Sequence, residues 1–231
     1  MTKKKIVILT GAGISAESGI KTFRDANGLW EGHNVMDVAS PLGWKKNEDL
    51  VLDFYNQRRA QLHEVQPNAG HLALARLDEY FDVSIVTQNV DNLHERAGSK
   101  NVLHLHGELF KVRSTVDENL VYEWTGPLNK GDKCEKGTQL RPHIVWFGEA
   151  VPLMDHAIKL AEIADIFMVI GTSMLVYPAA GLINYKPDKI PVYFIDPNPA
   201  FKAKSPNFKI ISDTAVAGLP PVVDEIIEKY S

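Results

Sequence analysis

Short apolar runs rich in β-branched residues alternate with longer amphipathic segments along most of the chain. A strand covered on both faces of a sheet needs no polar alternation, so these runs predict buried parallel strands. The predicted strands cover residues 5–9, 83–87, 102–105, 166–170 and 191–195, and the predicted helices cover residues 50–63, 71–80, 154–164 and 220–230. This alternation predicts an α/β protein with a Rossmann-like, doubly wound parallel sheet.

Two stretches do not follow the alternation. Residues 27–70 are long for a crossover between strands, and residues 107–143 combine short strand-like pieces with a polar loop. We predict that both are insertions that form a smaller lobe. The nucleotide-binding domain would then consist of residues 1–26, 71–106 and 144–231.

Composition narrows the class of protein. The 231 residues are 45% hydrophobic and 23% charged, with a net charge of −4 and a single cysteine, Cys134. These values are ordinary for a globular protein, give no electrostatic case for binding nucleic acid and exclude an internal disulfide. No apolar run approaches the ~18 residues of a membrane span. We expect a cytoplasmic monomer with no nucleic-acid or membrane partner.

A glycine-rich turn follows the first predicted strand, and a helix is predicted directly after it. The turn matches the loose dinucleotide-binding pattern through Gly11, Ala12, Gly13 and Ala16. Glycines let the backbone approach a pyrophosphate, and a helix N-terminus supplies free N–H donors. The alternative is a tight turn without a ligand. The segment Thr22-Phe23-Arg24 favours a ligand, because an aromatic ring and a guanidinium can cover a nicotinamide-ribose.

Polar side chains also follow the next two strands. Gln88, Asn89 and Asp91 suit recognition of a carboxamide and two ribose hydroxyls, although Asn and Asp also favour turns for purely local reasons. His106 is a candidate general base for a sugar hydroxyl, because histidine titrates near neutral pH. A structural role is the alternative for His106. Three other histidines are expected to be structural: His94, His104 and His143.

Further candidates stand at later strand ends. Gly171, Thr172 and Ser173 either contact adenosine or phosphate or form a simple turn, and Asp196 is a candidate for the adenine ribose. The segment Val145-Trp146-Phe147-Gly148 is either core or an exposed edge that can pair with a peptide backbone.

Six motifs, in order and at similar spacing, resemble the sirtuins, the NAD-dependent protein-lysine deacylases. They are Gly11-Ala-Gly-Ile-Ser-Ala-Glu-Ser-Gly19, Thr22-Phe-Arg24, Thr87-Gln-Asn-Val-Asp91, Leu105-His-Gly107, Leu140-Arg-Pro-His-Ile-Val-Trp-Phe-Gly-Glu149 and Gly171-Thr-Ser173. The resemblance extends from Ile6 to about Ile227.

The resemblance implies that NAD is consumed as a co-substrate without hydride transfer. The acyl-lysine oxygen would attack the nicotinamide-ribose, and His106 would deprotonate a ribose hydroxyl that then receives the acyl group, with Asn89 and Asp91 acting beside it. NAD would also contact Trp30, Val90, Asn198 and Ala215. The acyl-lysine protein or peptide would contact Val145, Trp146, Phe147, Gly148 and Val176.

A finer resemblance concerns acyl specificity. Tyr55 and Arg58 share a face of a predicted helix, and a phenol with a guanidinium can bind the carboxylate of an acidic acyl chain. This pair resembles the sirtuin branch that removes succinyl, malonyl and glutaryl groups. Ala39 would leave room for the longer chain, and Arg59 would face away. The alternative is a packed Tyr55 with Arg58 in solvent.

The chain departs from the family at its metal site. Sirtuins usually bind a structural zinc through four cysteines, whereas the corresponding positions here are Ser114, Asp117, Cys134 and Gly137. We therefore predict no zinc. The lobe would instead be packed by Val121, Tyr122, Trp124 and Leu128. A milder departure is Asp196, where relatives commonly have asparagine.

Three other functions compete with deacylation. A sirtuin-like mono-ADP-ribosyltransferase would use the same nicotinamide cleavage with a different acceptor, and Tyr55 with Arg58 argues against it. A non-catalytic NAD or ADP-ribose sensor would not need His106. An NAD dehydrogenase should carry an acidic ribose clamp about twenty residues after the glycine turn. Glu31 falls in a predicted loop and does not provide one.

Overall fold

The computed structural model describes residues 2–21, 29–199 and 205–231 of the chain. The strands are β1 (Lys5–Thr10), β2 (Leu29–Trp30), β3 (His33–Asn34), β4 (Asp82–Thr87), β5 (Val102–His104), β6 (Gly107–Ser114), β7 (Val121–Glu123), β8 (Leu140–Ile144), β9 (Ile166–Ile170), β10 (Val192–Ile195) and β11 (Phe208–Ile211). The α-helices are α1 (Val35–Val38), α2 (Pro41–Lys46), α3 (Glu48–Glu64), α4 (Ala69–Leu77), α5 (Leu93–Arg96), α6 (Met154–Glu162) and α7 (Ala215–Tyr230).

In the part of the chain that the structure describes, six parallel strands form the central sheet. Their order is β11-β10-β9-β1-β4-β5, so the chain leaves β1 in one direction and later returns to its other side at β9. The predicted doubly wound sheet is confirmed. In such sheets ligands bind outside the carboxyl ends of the strands where the winding reverses, here beside β1 and β9.

Helices cover both faces of this sheet because successive side chains of a buried strand point to opposite sides. Ile6 and Ile8 of β1 pack into the cluster that holds the apolar faces of α4 and α7. Val7 and Leu9 pack into the cluster that holds α6. None of the described helices is long and apolar enough to cross a membrane.

A separate antiparallel sheet, β7-β6-β8, packs with α3 in the smaller lobe. Helix α3 begins after Asn47, whose side chain accepts a hydrogen bond from the Leu50 N–H at 3.1 Å and caps the helix. Its Phe54 and Tyr55 are buried among side chains that follow β8 and precede α2. This packing fixes the face of α3 that reaches the site. The exact domain boundaries stay a prediction.

The structure corrects four local predictions. The glycine turn leads into two 3-10 segments, Ala12–Ile14 and Ala16–Ser18, rather than an α-helix. Strand β11 was not predicted, and α7 begins at Ala215 rather than at residue 220, because the Thr214 hydroxyl caps it by accepting from Ala217 N–H. Val121 does not pack the lobe, since it is 37% exposed at the edge strand β7.

Candidate active site

A cavity of about 690 Å³ opens at the carboxyl ends of β1, β4 and β9 and extends to α3 in the smaller lobe. Its size lies within the ~300–1,000 Å³ of small-molecule sites. The turns after the three strands form one side of the cavity. Side chains of α3 and of the segment after β8 form the other, so both lobes contribute to a single site.

The glycine turn packs tightly against the turn after β9. Gly11 N–H donates to Ile170 O at 3.0 Å, and Gly13 N–H donates to Gly171 O at 2.8 Å. A Cβ on Gly13 would lie 2.6 Å from the Gly171 Cα, and Gly171 itself has a φ of +60°. The glycines are therefore required for the approach of two backbone segments, in addition to any approach of a ligand phosphate.

Ser15, Asn89 and Asp91 form a buried hydrogen-bond network, called here the amide–carboxylate network. Asn89 Nδ2 donates to Ser15 Oγ at 3.1 Å, and Ser15 Oγ donates to Asp91 Oδ2 at 3.0 Å. Leu93 N–H donates to the other carboxylate oxygen at 3.1 Å. Burial raises the pKa of Asp91, and the Leu93 and Ser15 hydrogen bonds partly oppose that rise. The Asn89 amide nitrogen, the Ser15 hydroxyl and both Asp91 oxygens therefore each have a partner.

Two buried histidines, His71 and His94, contact this network and the neighbouring strand. Asn68 N–H donates to His71 Nδ1 at 3.3 Å, so the proton of the neutral ring is on Nε2, which lies 3.5 Å from Ser15 Oγ. His94 Nε2 lies 3.1 Å from Thr10 Oγ1 in the neighbouring strand. Burial lowers the pKa of His71 to about 4 and lowers the pKa of His94 well below its usual value. Both rings are neutral structural groups, as predicted for His94.

His106 is held with one nitrogen available. Its Nδ1 lies 3.0 Å from the Gln88 carbonyl oxygen, which can only accept, so Nδ1 carries the proton and Nε2 has a lone pair. Burial lowers the pKa of His106, and the Gln88 hydrogen bond partly opposes this shift. The ring is therefore neutral at pH 7. A neutral imidazole with a free nitrogen in a cavity is the form that a general base requires.

His104 has the opposite character. Its Nδ1 lies 3.0 Å from Asn89 O and its Nε2 lies 2.7 Å from Glu95 Oε1, so both nitrogens face acceptors. Burial alone would lower the pKa of His104, but the hydrogen bond and the charge of Glu95 outweigh it and raise the pKa. The two contacts hold the ring between Asn89 and Glu95, so His104 fixes the backbone of Asn89.

Tyr55, Arg58 and Trp146 line the side of the cavity that lies across from the strand-end turns. It is called here the acyl side, because the sequence predicts that the acyl chain binds there. Trp146 Nε1 donates to Tyr55 Oη at 3.0 Å, which leaves the phenol proton to be donated elsewhere. Burial raises the pKa of Tyr55, so the phenol stays neutral. The Arg141 guanidinium lies 3.3 Å from the centre of the Trp146 ring and pairs with Glu149 at 2.6 Å, which holds the indole in place.

Arg58 has few polar partners among the described residues, although it lines the cavity. It lies one helical turn from Tyr55, 5.1 Å from the centre of the Phe54 ring, and its side chain is 15% exposed. Its Nε and Nη1 are buried without a hydrogen-bond acceptor among the described residues. The nearest carboxylate oxygen is Glu31 Oε1, 4.0 Å from Nη1. Burial lowers the pKa of Arg58, while the charge of Glu31 partly opposes that shift. Two buried donors of a cavity-lining residue therefore lack an acceptor within the part of the chain that the structure describes.

Comparisons with known proteins agree with this geometry. The sequence pattern of the Sir2 family matches residues 11–178. The chain belongs to the Sir2 family. A Helicobacter pylori relative named NAD-dependent protein deacylase is 57% identical over 228 residues, which cover 99% of this chain and 100% of the relative.

Solved Sir2 structures have the same fold. A Sir2 homologue mutant in complex with ADP ribose superimposes with a TM-score of 0.88 at 37% identity, covering 98% of this chain and 93% of that one. A Sir2 homologue in complex with NAD gives a TM-score of 0.86 at 37% identity, covering 99% of this chain and 91% of that one. The resemblance inferred from the sequence motifs is therefore confirmed.

Most predicted site residues of this Sir2 chain line the one cavity. They are Gly11, Ala12, Gly13, Ala16, Trp30, Ala39, Tyr55, Arg58, Gln88, Asn89, Val90, Asp91, His106, Val145, Trp146, Phe147, Gly148, Gly171, Thr172, Ser173, Val176, Asp196 and Asn198. Ala215 is buried at the start of α7 and is not among the lining residues, whereas its neighbour Thr214 is. Thr22, Phe23 and Arg24 lie outside the described residues. The individual roles of all these residues stay predictions.

The segment after β8 is less free to pair with a peptide than its sequence indicates. Val145 N–H already donates to His106 O at 2.9 Å, and Phe147 N–H donates to Ala39 O at 2.9 Å. These bonds join the segment to the strand-end turn of His106 and to the smaller lobe. A peptide backbone cannot accept hydrogen bonds from those two N–H groups unless their present bonds to His106 O and Ala39 O break.

Several residues of this Sir2 site were not singled out from the sequence. Ser15 connects Asn89 to Asp91, and its position inside the glycine motif was the available signal. Lys21, Glu31 and Glu17 also line the cavity. Charged residues in predicted loops look like solvated surface, so only their tertiary placement reveals them.

In the region where the Sir2 family usually carries its zinc cysteines, Cys134 is part of a hydroxyl cluster. Its Sγ lies 3.3 Å from Ser114 Oγ and 3.1 Å from Thr138 Oγ1. Hydrogen bonding with Ser114 and then with Thr138 lowers the pKa of the Cys134 thiol to about 7. Among the described residues, no three His, Cys, Asp or Glu side chains are grouped as metal ligands would be.

Proposed function

We propose that this chain is an NAD-dependent protein deacylase that removes acidic acyl groups, as well as acetyl groups, from lysine side chains. Deacylation is supported by membership of the Sir2 family and by the name of the 57% identical relative. The observation that carries the acidic specificity is Arg58, which lines the cavity and whose Nε and Nη1 are buried without an acceptor in the described ranges 2–21, 29–199 and 205–231. A carboxylate is the acceptor that an arginine binds most strongly.

The residues present fit NAD. Backbone turns at Gly13 and Gly171 and the hydroxyl of Thr172 suit phosphate and ribose oxygens, and Asp196 suits a ribose hydroxyl. Asn89 offers an amide beside Asp91 for a carboxamide. When bound, NAD supplies the activated ribose carbon and carries the acyl group away as an ester of ADP-ribose.

His106 provides the proton transfer. Its Nδ1–H bond to Gln88 O leaves Nε2 as the accepting nitrogen, and burial keeps the ring neutral. In this state it can take the proton of a ribose hydroxyl without first losing one itself. The hydrogen bond also fixes the ring orientation, which matters because a base must lie within hydrogen-bond reach of its proton donor.

Tyr55 and Arg58 provide acyl selectivity. The Tyr55 phenol accepts from Trp146 and keeps its own proton for donation, and Arg58 offers two further donors. Together they can satisfy both oxygens of a terminal carboxylate. An acetyl group carries no carboxylate to accept from these donors, so this pair distinguishes acyl chains by charge.

We also infer that the smaller lobe folds without zinc. Cys134 is satisfied by Ser114 and Thr138, and Leu128, Leu140 and Val112 pack around it. A structural zinc site needs four good ligands, which this cluster does not offer.

The test is mass spectrometry of one lysine peptide in acetyl and succinyl forms, incubated with the protein with and without NAD. We expect NAD-dependent loss of succinyl with release of nicotinamide and O-succinyl-ADP-ribose. Loss of acetyl alone would keep the deacylase and remove the acidic specificity. ADP-ribose attached to protein, without loss of either acyl group, would indicate a mono-ADP-ribosyltransferase. Intact NAD and intact peptides would indicate a sensor.

A further inference from the structure

Glu31 stands at an unusual position beside the acyl side of the cavity. It lies in the turn between β2 and β3 with a φ of +50°, a conformation that is costly for a residue with a side chain. Its carboxylate is only 13% exposed and lines the same cavity as Arg58. Its backbone conformation and burial give the carboxylate a fixed place.

Two cations lie near this carboxylate. Lys21 Nζ lies 3.3 Å from Glu31 Oε2, and Arg58 Nη1 lies 4.0 Å from Glu31 Oε1. The contact with Arg58 is electrostatic rather than a hydrogen bond, because Nη1 has no hydrogen-bond acceptor among the described residues. Glu31 therefore balances the charge of Arg58 without occupying its donors.

This arrangement has opposite consequences for the two kinds of acyl group. With a neutral acetyl group in the cavity, Arg58 and Glu31 balance each other. An acidic acyl group brings a second carboxylate to the same guanidinium, and like charges at such distances repel strongly where water is sparse. Lys21 is 69% exposed and can keep the Glu31 charge paired when Arg58 binds the acyl carboxylate.

We propose that Glu31 is a specificity-determining residue that competes with the acyl carboxylate for Arg58 and so lowers the preference for acidic acyl groups. This proposal rests on the proposed function, in which Arg58 binds the acyl carboxylate. The acyl preference of the enzyme is then set by Glu31 and Lys21 as well as by Tyr55 and Arg58.

The experiment compares Glu31→Gln with the wild-type protein on succinyl-lysine and acetyl-lysine forms of one peptide. We expect the ratio of kcat/KM for succinyl to that for acetyl to rise about tenfold, which corresponds to ~1.4 kcal/mol, mainly through a lower KM for the succinyl peptide. Fluorescence anisotropy of the labelled succinyl peptide should show tighter binding by a similar factor. Asp37→Asn is the matched control. It removes the same charge from an exposed residue that pairs with Lys46, and should leave the ratio within about twofold.

An unchanged ratio in Glu31→Gln would overturn the proposal. A lower ratio would also overturn it, because Glu31 would then be needed to orient Arg58. Arg58→Met separates this failure from failure of the proposed function. If Arg58→Met collapses the ratio while Glu31→Gln does not raise it, only the role of Glu31 is lost. If Arg58→Met leaves the ratio unchanged, the acidic specificity itself is wrong.

Discussion

The two sides of the cavity treat buried polar groups differently. In the amide–carboxylate network, Ser15, Asn89 and Asp91 satisfy one another at 3.0 and 3.1 Å. On the acyl side, Arg58 has two buried donors for which the described part of the chain provides no acceptor. A buried donor without a partner costs about 1–3 kcal/mol, so it persists only where the surrounding packing fixes it. Phe54 and the helical position of Arg58 on α3 provide that packing.

The difference indicates that the two sides of the cavity are preorganised for a ligand in different ways. A satisfied network holds its shape before and after binding, which suits groups that must orient a reacting ring. An unsatisfied donor gains most when a ligand supplies its acceptor, which suits a group that selects among ligands. His106 connects the two sides, because its ring bonds to Gln88 and its carbonyl accepts from Val145.

Substitution of His106, which connects the two sides, should give the largest effect on activity. We expect His106→Ala to lower kcat by at least about 100-fold, the lower range for a general base, while the Kd for NAD changes little. Single-turnover kinetics and calorimetric titration with NAD measure the two quantities. Equal loss of NAD binding would mean that His106 has a structural role.

On the acyl side, Arg58→Met should lower activity on acidic acyl substrates only. We expect the ratio of kcat/KM for succinyl to that for acetyl to fall about 100-fold, or ~2.7 kcal/mol, because the acyl carboxylate would be buried without its partner. Deacetylation should persist. Arg76→Met removes an exposed guanidinium that pairs with Asp224 and is the matched control. If both activities fell together, Arg58 would hold the fold rather than the acyl group.

On the side of the cavity that holds the amide–carboxylate network, low pH should destabilise the fold through protonation of His71, which contacts Ser15. The folded-state pKa of His71 is about 4, below the unfolded value of 6.5, so the unfolded chain takes up the proton first. The free energy of unfolding should therefore fall as pH drops from about 6.5 to about 4, and His71 should account for about 2 kcal/mol between pH 7 and pH 4.5.

Urea unfolding of the wild-type protein and of His71→Gln, at pH 7 and at pH 4.5, measures the contribution of His71 to the free energy of unfolding. The variant should be less stable at pH 7 and should lose less stability on acidification. His156→Gln, at an exposed position of α6, should keep the wild-type pH dependence. Identical pH dependence in all three proteins would show that His71 is not the group that responds.

The smallest expected effect concerns metal. We expect the purified protein to contain far less than one zinc per chain. Dialysis against a chelator should shift Tm by no more than about 1 °C, whereas removal of a structural zinc would cost many kcal/mol of stability and lower Tm strongly. Elemental analysis and calorimetric scans measure both. A large drop in Tm would mean that the lobe holding the acyl side depends on a metal.

Most of the fold could be predicted because its signals are local. The apolar runs of β1, β4 and β9 and the polar residues directly after them fix both the sheet and the edge at which the site forms. The 3-10 segments after Gly11 were mispredicted, because a glycine motif specifies a turn but not the helix type that follows. Likewise β11 is a short edge strand whose half-buried residues carry a weak pattern.

Motifs and periodicity were sufficient to identify the Sir2 family, to predict the parallel sheet and to name His106, Tyr55 and Arg58 as candidates. Which polar groups have partners became visible only in the folded protein. Trp146 bonds to Tyr55 across 91 positions of the chain, Asn89 bonds to Ser15 across 74, and Glu31 meets Arg58 through a turn that no periodicity marks. Periodicity reports how a residue faces its own helix or strand. The partner of a polar group depends on how separate elements pack, and this packing gave the Asn89 amide a partner and left two Arg58 donors without an acceptor among the described residues.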